Sequence, residues 1–227
     1  MLLLSIDTSG KCGGITLAQG DANSFRIIES APIAGGAFSA QLVPTLASTL
    51  ARHGFAAGDL QAFIAVSGPG SFTGLRVGLS AIKGLVEVLK RPIATVSGLA
   101  ALAISCGKEG KIAAAMDAGR EEVFLGLYDV VAGRASTQLE ALLSRPEFVS
   151  AIRNGNAAQV VTCDSVIAEL VRSAGLFAQE IERPGSEAAA RIGLRKLLAG
   201  ETVTVEELDA NYIRRSDAEI FSKPKHQ

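Results

Sequence analysis

Histidine, tryptophan, cysteine and proline are all scarce in this chain of 227 residues, which has two His, no Trp, three Cys and seven Pro. Each shortage excludes a class of function. A His-based metal site would need both His53 and His226, which stand far apart, and neither has a second ligand type at helical spacing. Metallohydrolase and Ser-His-Asp chemistry are disfavoured on that count. Cys12, Cys106 and Cys163 are odd in number and widely separated. They read as small buried hydrophobes of a reducing compartment, not as a disulfide framework or a zinc site. With 9 Phe and 2 Tyr, bases would find few stacking platforms. Lys plus Arg number 22 against 23 Asp plus Glu, a net charge of −1, and no basic run exceeds two residues. The chain alone therefore lacks the concentrated positive surface that nucleic acid demands. No apolar stretch approaches a membrane span, and Met1 leads into a strand-like segment with no charged leader, which predicts a soluble, cytoplasmic protein without membrane contact.

What is present is material for a core: 48% of residues are apolar and 20% charged. The length suits one large domain or two small lobes. Leu2-Leu3-Leu4-Ser5-Ile6 reads as a buried strand, Asp7-Thr8-Ser9-Gly10 as a turn, and Ile15–Ala18 as the returning strand. Leu42, Leu46 and Leu50 at four-residue spacing predict a helix over 38–53, closed by Gly54 and with Pro44 near its start. Ala62–Val66 is a buried strand, after which Ser71 caps a helix running to about Lys90. A short strand at Ile93–Val96, a helix capped by Ser97 and a strand–hairpin pair at Lys111–Met116 and Glu122–Tyr128 follow. Helices are expected at 146–153, 164–174 and 187–199, with a strand at 159–163. The polar segment 211–227 suits covering a surface.

Self-comparison suggests a duplication. Ser5-Ile6-Asp7-Thr8-Ser9-Gly10 returns as Ala115-Met116-Asp117-Ala118-Gly119. A second match pairs Pro69-Gly70-Ser71 and Arg76-Val77-Gly78-Leu79 with Pro184-Gly185-Ser186 and Arg191-Ile192-Gly193-Leu194. The expected lobes are 1–105 and 106–227, with the tail packing back on the first.

Two readings of Asp7 and Asp117 stand side by side. Each ends a buried strand at a small-residue turn. Facing turns of this kind can clasp a nucleotide phosphate while an Asp positions metal-bound water, or each Asp simply bonds its own turn. The segment Gly68-Pro69-Gly70-Ser71-Phe72-Thr73-Gly74 fits no phosphate cradle: a P-loop needs a Lys that is absent, and the dinucleotide pattern needs a Gly where Thr73 stands. It reads as a structural turn.

The helix at 72–90 is apolar over most of its girth. Phe72, Leu75, Leu79, Ile82, Val86 and Leu89 form one stripe, and Gly74, Val77, Gly78, Ala81, Gly84, Leu85 and Val88 fill the adjoining arc. Arg76, Ser80, Lys83, Glu87 and Lys90 keep only about 100° of circumference. One sheet face cannot cover so wide an arc, and the glycines admit another backbone. A second helix, either Leu42–Leu50 or one from a partner, is expected against it.

Ile6-Asp7-Thr8-Ser9, the run Gly68–Gly78, Met116-Asp117-Ala118 and Tyr212-Ile213-Arg214 together resemble the TsaB family, formerly YeaZ, in order and spacing over nearly the whole chain. The resemblance implies an α/β, duplicated, two-lobed actin/Hsp70/sugar-kinase-like (ASKHA) fold. It implies a role in making N6-threonylcarbamoyladenosine at position 37 of ANN-decoding tRNAs, as a non-catalytic subunit that assembles with and activates a paralogous TsaD-type catalytic subunit. A TsaE-type ATPase belongs to the same system, tRNA is met only through the assembled complex, and no cofactor is implied for this chain. Pairing runs through the first two helices, and a homodimer uses the same surface when the chain is alone.

The partner face is then Leu42, Leu46 and Leu50 on the first helix. On the second it is Phe72, Gly74, Leu75, Arg76, Gly78, Ala81, Ile82 and Leu85, and Gly78→Arg is expected to block pairing while the chain still folds. Members of the family place a His near the start of the first helix, where this chain reads Ala37-Phe38-Ser39-Ala40-Gln41. TsaD-type subunits hold metal with a His-x-x-x-His pair that this chain lacks, which disfavours the glycoprotease label of older usage. The alternative is an ATP-binding phosphotransfer enzyme of the same superfamily working through Asp7 and Asp117.

Overall fold

The computed structural model describes residues 1–154, 159–211 and 213, so Tyr212, Arg214 and His226 lie outside the described residues. The first half runs β1 (Leu2–Asp7), β2 (Cys12–Gly20), β3 (Phe25–Ala34), α1 (Phe38–Arg52), β4 (Ala62–Gly68), α2 (Phe72–Leu89), β5 (Ile93–Ser97) and α3 (Gly98–Ser105). The second runs β6 (Gly110–Gly119), β7 (Glu122–Val131), β8 (Arg134–Ser144), α4 (Arg145–Asn154), β9 (Gln159–Thr162), α5 (Ser165–Ser173), β10 (Ala178–Glu180) and α6 (Ser186–Leu198).

Both halves form the same five-stranded sheet. The orders are β3-β2-β1-β4-β5 and β8-β7-β6-β9-β10, with the first three strands of each antiparallel and the rest parallel. Together they make a duplicated, two-lobed α/β fold. β1, β4 and β6 are covered on both faces, which is why they read as unbroken apolar runs.

The helices sort by face. α1 and α2 lie with Leu4, Ile6 and Phe63 in one cluster on the outside of the first sheet. α4 and α5 do the same for the second sheet through Phe148, Ile152, Ile167 and Val171. Between the sheets the halves exchange partners. α3 follows the first sheet in sequence, yet its Leu99, Leu102 and Cys106 pack on Ile112 and Met116 of the second. α6 follows the second, yet its Ala189, Ala190 and Leu194 pack on Leu3 and Ile64 of the first. α3 is apolar all round because it lies in this interior layer.

The match between Asp7 and Asp117 traces true equivalents, since β1 and β6 hold the same place in their sheets. The second internal match does not. It aligns α2 with α6, whereas the counterpart of α2 between the two parallel outer strands is α5. The likeness has another cause: α2 and α6 both press small residues onto the first sheet from opposite faces. A Cβ at Gly78 would stand 2.4 Å from Thr8 Oγ1, and one at Gly193 would stand 2.5 Å from Ile64. The structure also differs from expectation at three strands and two thiols. β3, β8 and β10 are strands that the sequence pattern did not reveal. Cys12 is exposed and Cys163 half-buried, so only Cys106 is a core thiol.

Candidate functional site

An open cleft of about 2130 Å³ separates the lobes, and the turns after β1 and within β6 both line it, with Asp7 and Asp117 among the lining residues. The two aspartates are used differently. Asp7 is buried, and its carboxylate accepts from the Ser9 N–H at 2.8 Å and the Ser9 hydroxyl at 2.6 Å. This is the self-bonded turn of the second reading above.

The same turn is fastened to the start of α2. The Thr8 hydroxyl donates to the Gly74 carbonyl at 2.7 Å, and the Ser71 N–H donates to the Ser9 carbonyl at 2.8 Å. Cβ atoms at Gly70 and Gly74 would lie 2.1 Å from the Ser9 and Thr8 carbonyl oxygens. The glycine-rich segment is thus a fitted turn, with Gly70 and Gly74 where the backbone of the turn after β1 comes closest. Ser71 caps α2 by accepting from the Gly74 N–H, as its sequence position predicts. Across the cleft Arg183 donates to the Ser9 hydroxyl at 3.2 Å.

Asp117, by contrast, is exposed, and its backbone N–H donates to the Asp164 carboxylate at 2.8 Å. Beside it the Cys163 thiol is pushed up to about 11, first by burial and then by the Asp164 charge, so it is protonated at neutral pH. Among the described residues no three His, Cys, Asp or Glu side chains gather as a metal site.

The α1 and α2 residues assigned to a partner face divide in two. Leu42, Leu46, Leu50, Leu75 and Ile82 are buried in the outer cluster of the first sheet, and Gly74 and Gly78 are pressed onto the Thr8 turn. These seven are enclosed by their own chain. The expectation that Gly78→Arg would spare the fold is therefore overturned, because the space beside Gly78 is filled by Thr8 and Ile6.

On the adjoining arc Val77, Ala81 and Leu85 are half-buried and pack against the same cluster, whereas Gly84 is exposed and Val88 79% exposed. Val43 on α1 is 64% exposed. On α2 the Arg76 guanidinium stacks on the Phe72 ring at 3.7 Å. Val43 and Thr8 are the residues that the sequence reading missed. Val43 lies outside the four-residue leucine spacing, and the role of Thr8 depends on a contact 66 residues away.

The sequence matches the family described as TsaD, tRNA N6-adenosine threonylcarbamoyltransferase, over residues 31–183. It is 27% identical over 229 residues to the tRNA threonylcarbamoyladenosine biosynthesis protein TsaB of Escherichia coli (strain K12), covering 96% of each chain. It is 36% identical over 130 residues to the protein of the same name from Bacillus subtilis (strain 168), a match spanning 56% of this chain and about half, 55%, of that one. The structure of YeaZ from Pseudomonas aeruginosa superimposes with a TM-score of 0.77 at 26% identity, covering 93% of this chain and 100% of that one. By these matches the chain belongs to the TsaB/YeaZ family and carries a TsaD-like domain.

Proposed function

We propose that this chain serves tRNA threonylcarbamoyladenosine biosynthesis as a non-catalytic assembly subunit, docking a TsaD-type catalytic subunit through the outward faces of α1 and α2. The names of its relatives support the pathway, and the match to the TsaD family supports a partner built on the same plan. One observation carries the docking role: the two helices on the outside of the first sheet hold large apolar side chains in solvent, Val88 on α2 at 79% and Val43 on α1 at 64% exposure, while Val77, Ala81 and Leu85 are only half-covered by the core beneath them. Exposed apolar side chains on two neighbouring helices suit a helix-on-helix interface with a polar rim at Arg76. A second copy of this chain can use the same face when the partner is absent. In this role tRNA and a TsaE-type ATPase are met in the assembled complex, and the cytosol is the place of work.

Val88→Arg places a charge on the outward side of α2, at a side chain 79% exposed and outside the core cluster. Co-purification with the TsaD-type subunit should be lost while the thermal unfolding midpoint stays within a few degrees of wild type. Retained co-purification would reject this face. The cleft with its two aspartates favours one rival, an ATP-dependent phosphotransfer enzyme. Calorimetry with Mg-ATP separates the two: micromolar binding that Asp7→Ala abolishes would favour the enzyme.

A further inference from the structure

Residues 203–211 run back across the first half as a strap with little regular structure. Val203 bridges Ile93 at the edge of β5, and Leu208 and Ala210 are buried in the cluster that holds Leu75, Leu79 and Ile82 beneath α2. The Asn211 N–H donates to the Ser67 carbonyl at 2.7 Å. A segment without a ladder is placed by such individual anchors.

One anchor comes from the second half. The Glu140 carboxylate on β8 accepts from the Asn211 side-chain amide on one oxygen. On the other it accepts from the Tyr128 hydroxyl and, at 2.6 Å, from the Ser97 hydroxyl. The donors therefore belong to the strap, to β7 and to the cap of α3, and none carries charge. Among the described residues no Lys or Arg forms an ion pair with Glu140. Tyr128 is 1% exposed, and burial, followed by the Glu140 charge, drives its phenol far above the ordinary range, so it remains a donor. Gly126 makes room for that ring: a Cβ there would stand 2.5 Å from it. Hydrogen bonds to an ionised acceptor are the stronger kind, and three of them converge here.

We propose that Glu140 is a latch: by holding Asn211 it fixes the strap that supports α2, and so it is a positioning residue for the docking face. The second clause rests on the docking role proposed above, whereas the first concerns the lone chain.

The test is a charge exchange read by hydrogen exchange on the full-length chain. Asn211→Asp sets a second carboxylate against the first with almost no change of shape. Adding Glu140→Gln restores the match, because the new amide donates to the new carboxylate while its oxygen still accepts from Tyr128 and Ser97. Amides of 203–211 should exchange about tenfold faster in the single variant and return to the wild-type rate in the double. Amides of β1 should not change.

Unchanged strap exchange in Asn211→Asp, or equal exchange in the single and double variants, overturns the latch. If the single variant fails to fold, Asn211→Ala gives the same reading without added charge. Association with the TsaD-type subunit should weaken about tenfold in the single variant and recover in the double. A loosened strap with unchanged association overturns the positioning role. If the wild-type chain does not associate at all, the docking proposal fails, and strap exchange still judges the latch.

Discussion

Asp7 at the end of β1 and Asp117 near the end of the equivalent β6 line one cleft, yet the first carboxylate is buried in its own turn and the second is exposed. After Asp7 come Thr8 and Ser9, whose hydroxyls and carbonyls bind the turn to itself, to α2 and to Arg183. After Asp117 come Ala118 and Gly119, which have no side-chain donors, and the strand end is held instead by the Asp164 carboxylate at the start of α5. One hairpin plan therefore serves two ends. In the first half it is a mould for the start of α2. In the second it leaves a carboxylate exposed.

The contrast is broken most severely at the mould. Gly78→Arg should abolish soluble expression or cost about 3 kcal/mol or more, because any Cβ there meets Thr8 and the side chain has nowhere to turn. Gly84, on the other side of the same helix, is open: a Cβ there would have nothing within 4 Å, so Gly84→Ala should stabilise by about 0.5–1 kcal/mol. Thermal or urea unfolding reads both. Equal effects at the two glycines would mean that α2 does not present the faces described.

A milder substitution sharpens the comparison of the turns. Thr8→Val removes the donor to the buried Gly74 carbonyl while keeping the shape, and should lower stability by about 1 kcal/mol. Asp117→Asn, at the equivalent strand end, alters an exposed side chain and should stay within about 0.5 kcal/mol of wild type. Urea titrations that rank the two in the opposite order would place the lock in the wrong half.

The same contrast explains which features the sequence disclosed. β1, β4 and β6 are legible because burial on both faces forces continuous apolar runs. β3 and β8 are sheet edges, with half-buried stretches such as Phe25-Arg26-Ile27-Ile28-Glu29 that obey neither period, and Pro32 argues against a strand until its edge position is known. The two-sidedness of α2 is legible from its composition, but which side faces inward is not. Glycines at 74, 78 and 84 permit close approach from either direction, and only the fold shows that Thr8 fills two of the three gaps. The duplication is legible at Asp7 and Asp117, where equivalent apolar strands run into an Asp followed by small residues. It misleads at Gly193, where packing against the same sheet produced a likeness without equivalence.

The smallest expected difference concerns how each half fastens its outer helix. At the C-terminal end of α1, Arg52 and His53 hold Glu29 of β3, and the Arg52 hydrogen bond, followed by that of His53, keeps the Glu29 carboxyl below its usual value of 4.5. At the N-terminal end of α4, Glu147 accepts from the Ser144 hydroxyl and N–H, which lower its carboxyl in the same direction. A carboxylate with a depressed folded pKa adds stability that is present above its unfolded value and is lost as the pH falls through the folded one. Glu29→Gln and Glu147→Gln should therefore each narrow the gap in stability between neutral pH and pH 3. Salt tells them apart: at 1 M, screening should shrink the Glu29→Gln effect, whose partner Arg52 is a cation, and leave the Glu147→Gln effect, whose partner Ser144 is neutral. Chemical unfolding by urea at both pH values and both ionic strengths supplies the comparison, and an equal response to salt would show that the charge of Arg52 contributes nothing to holding α1.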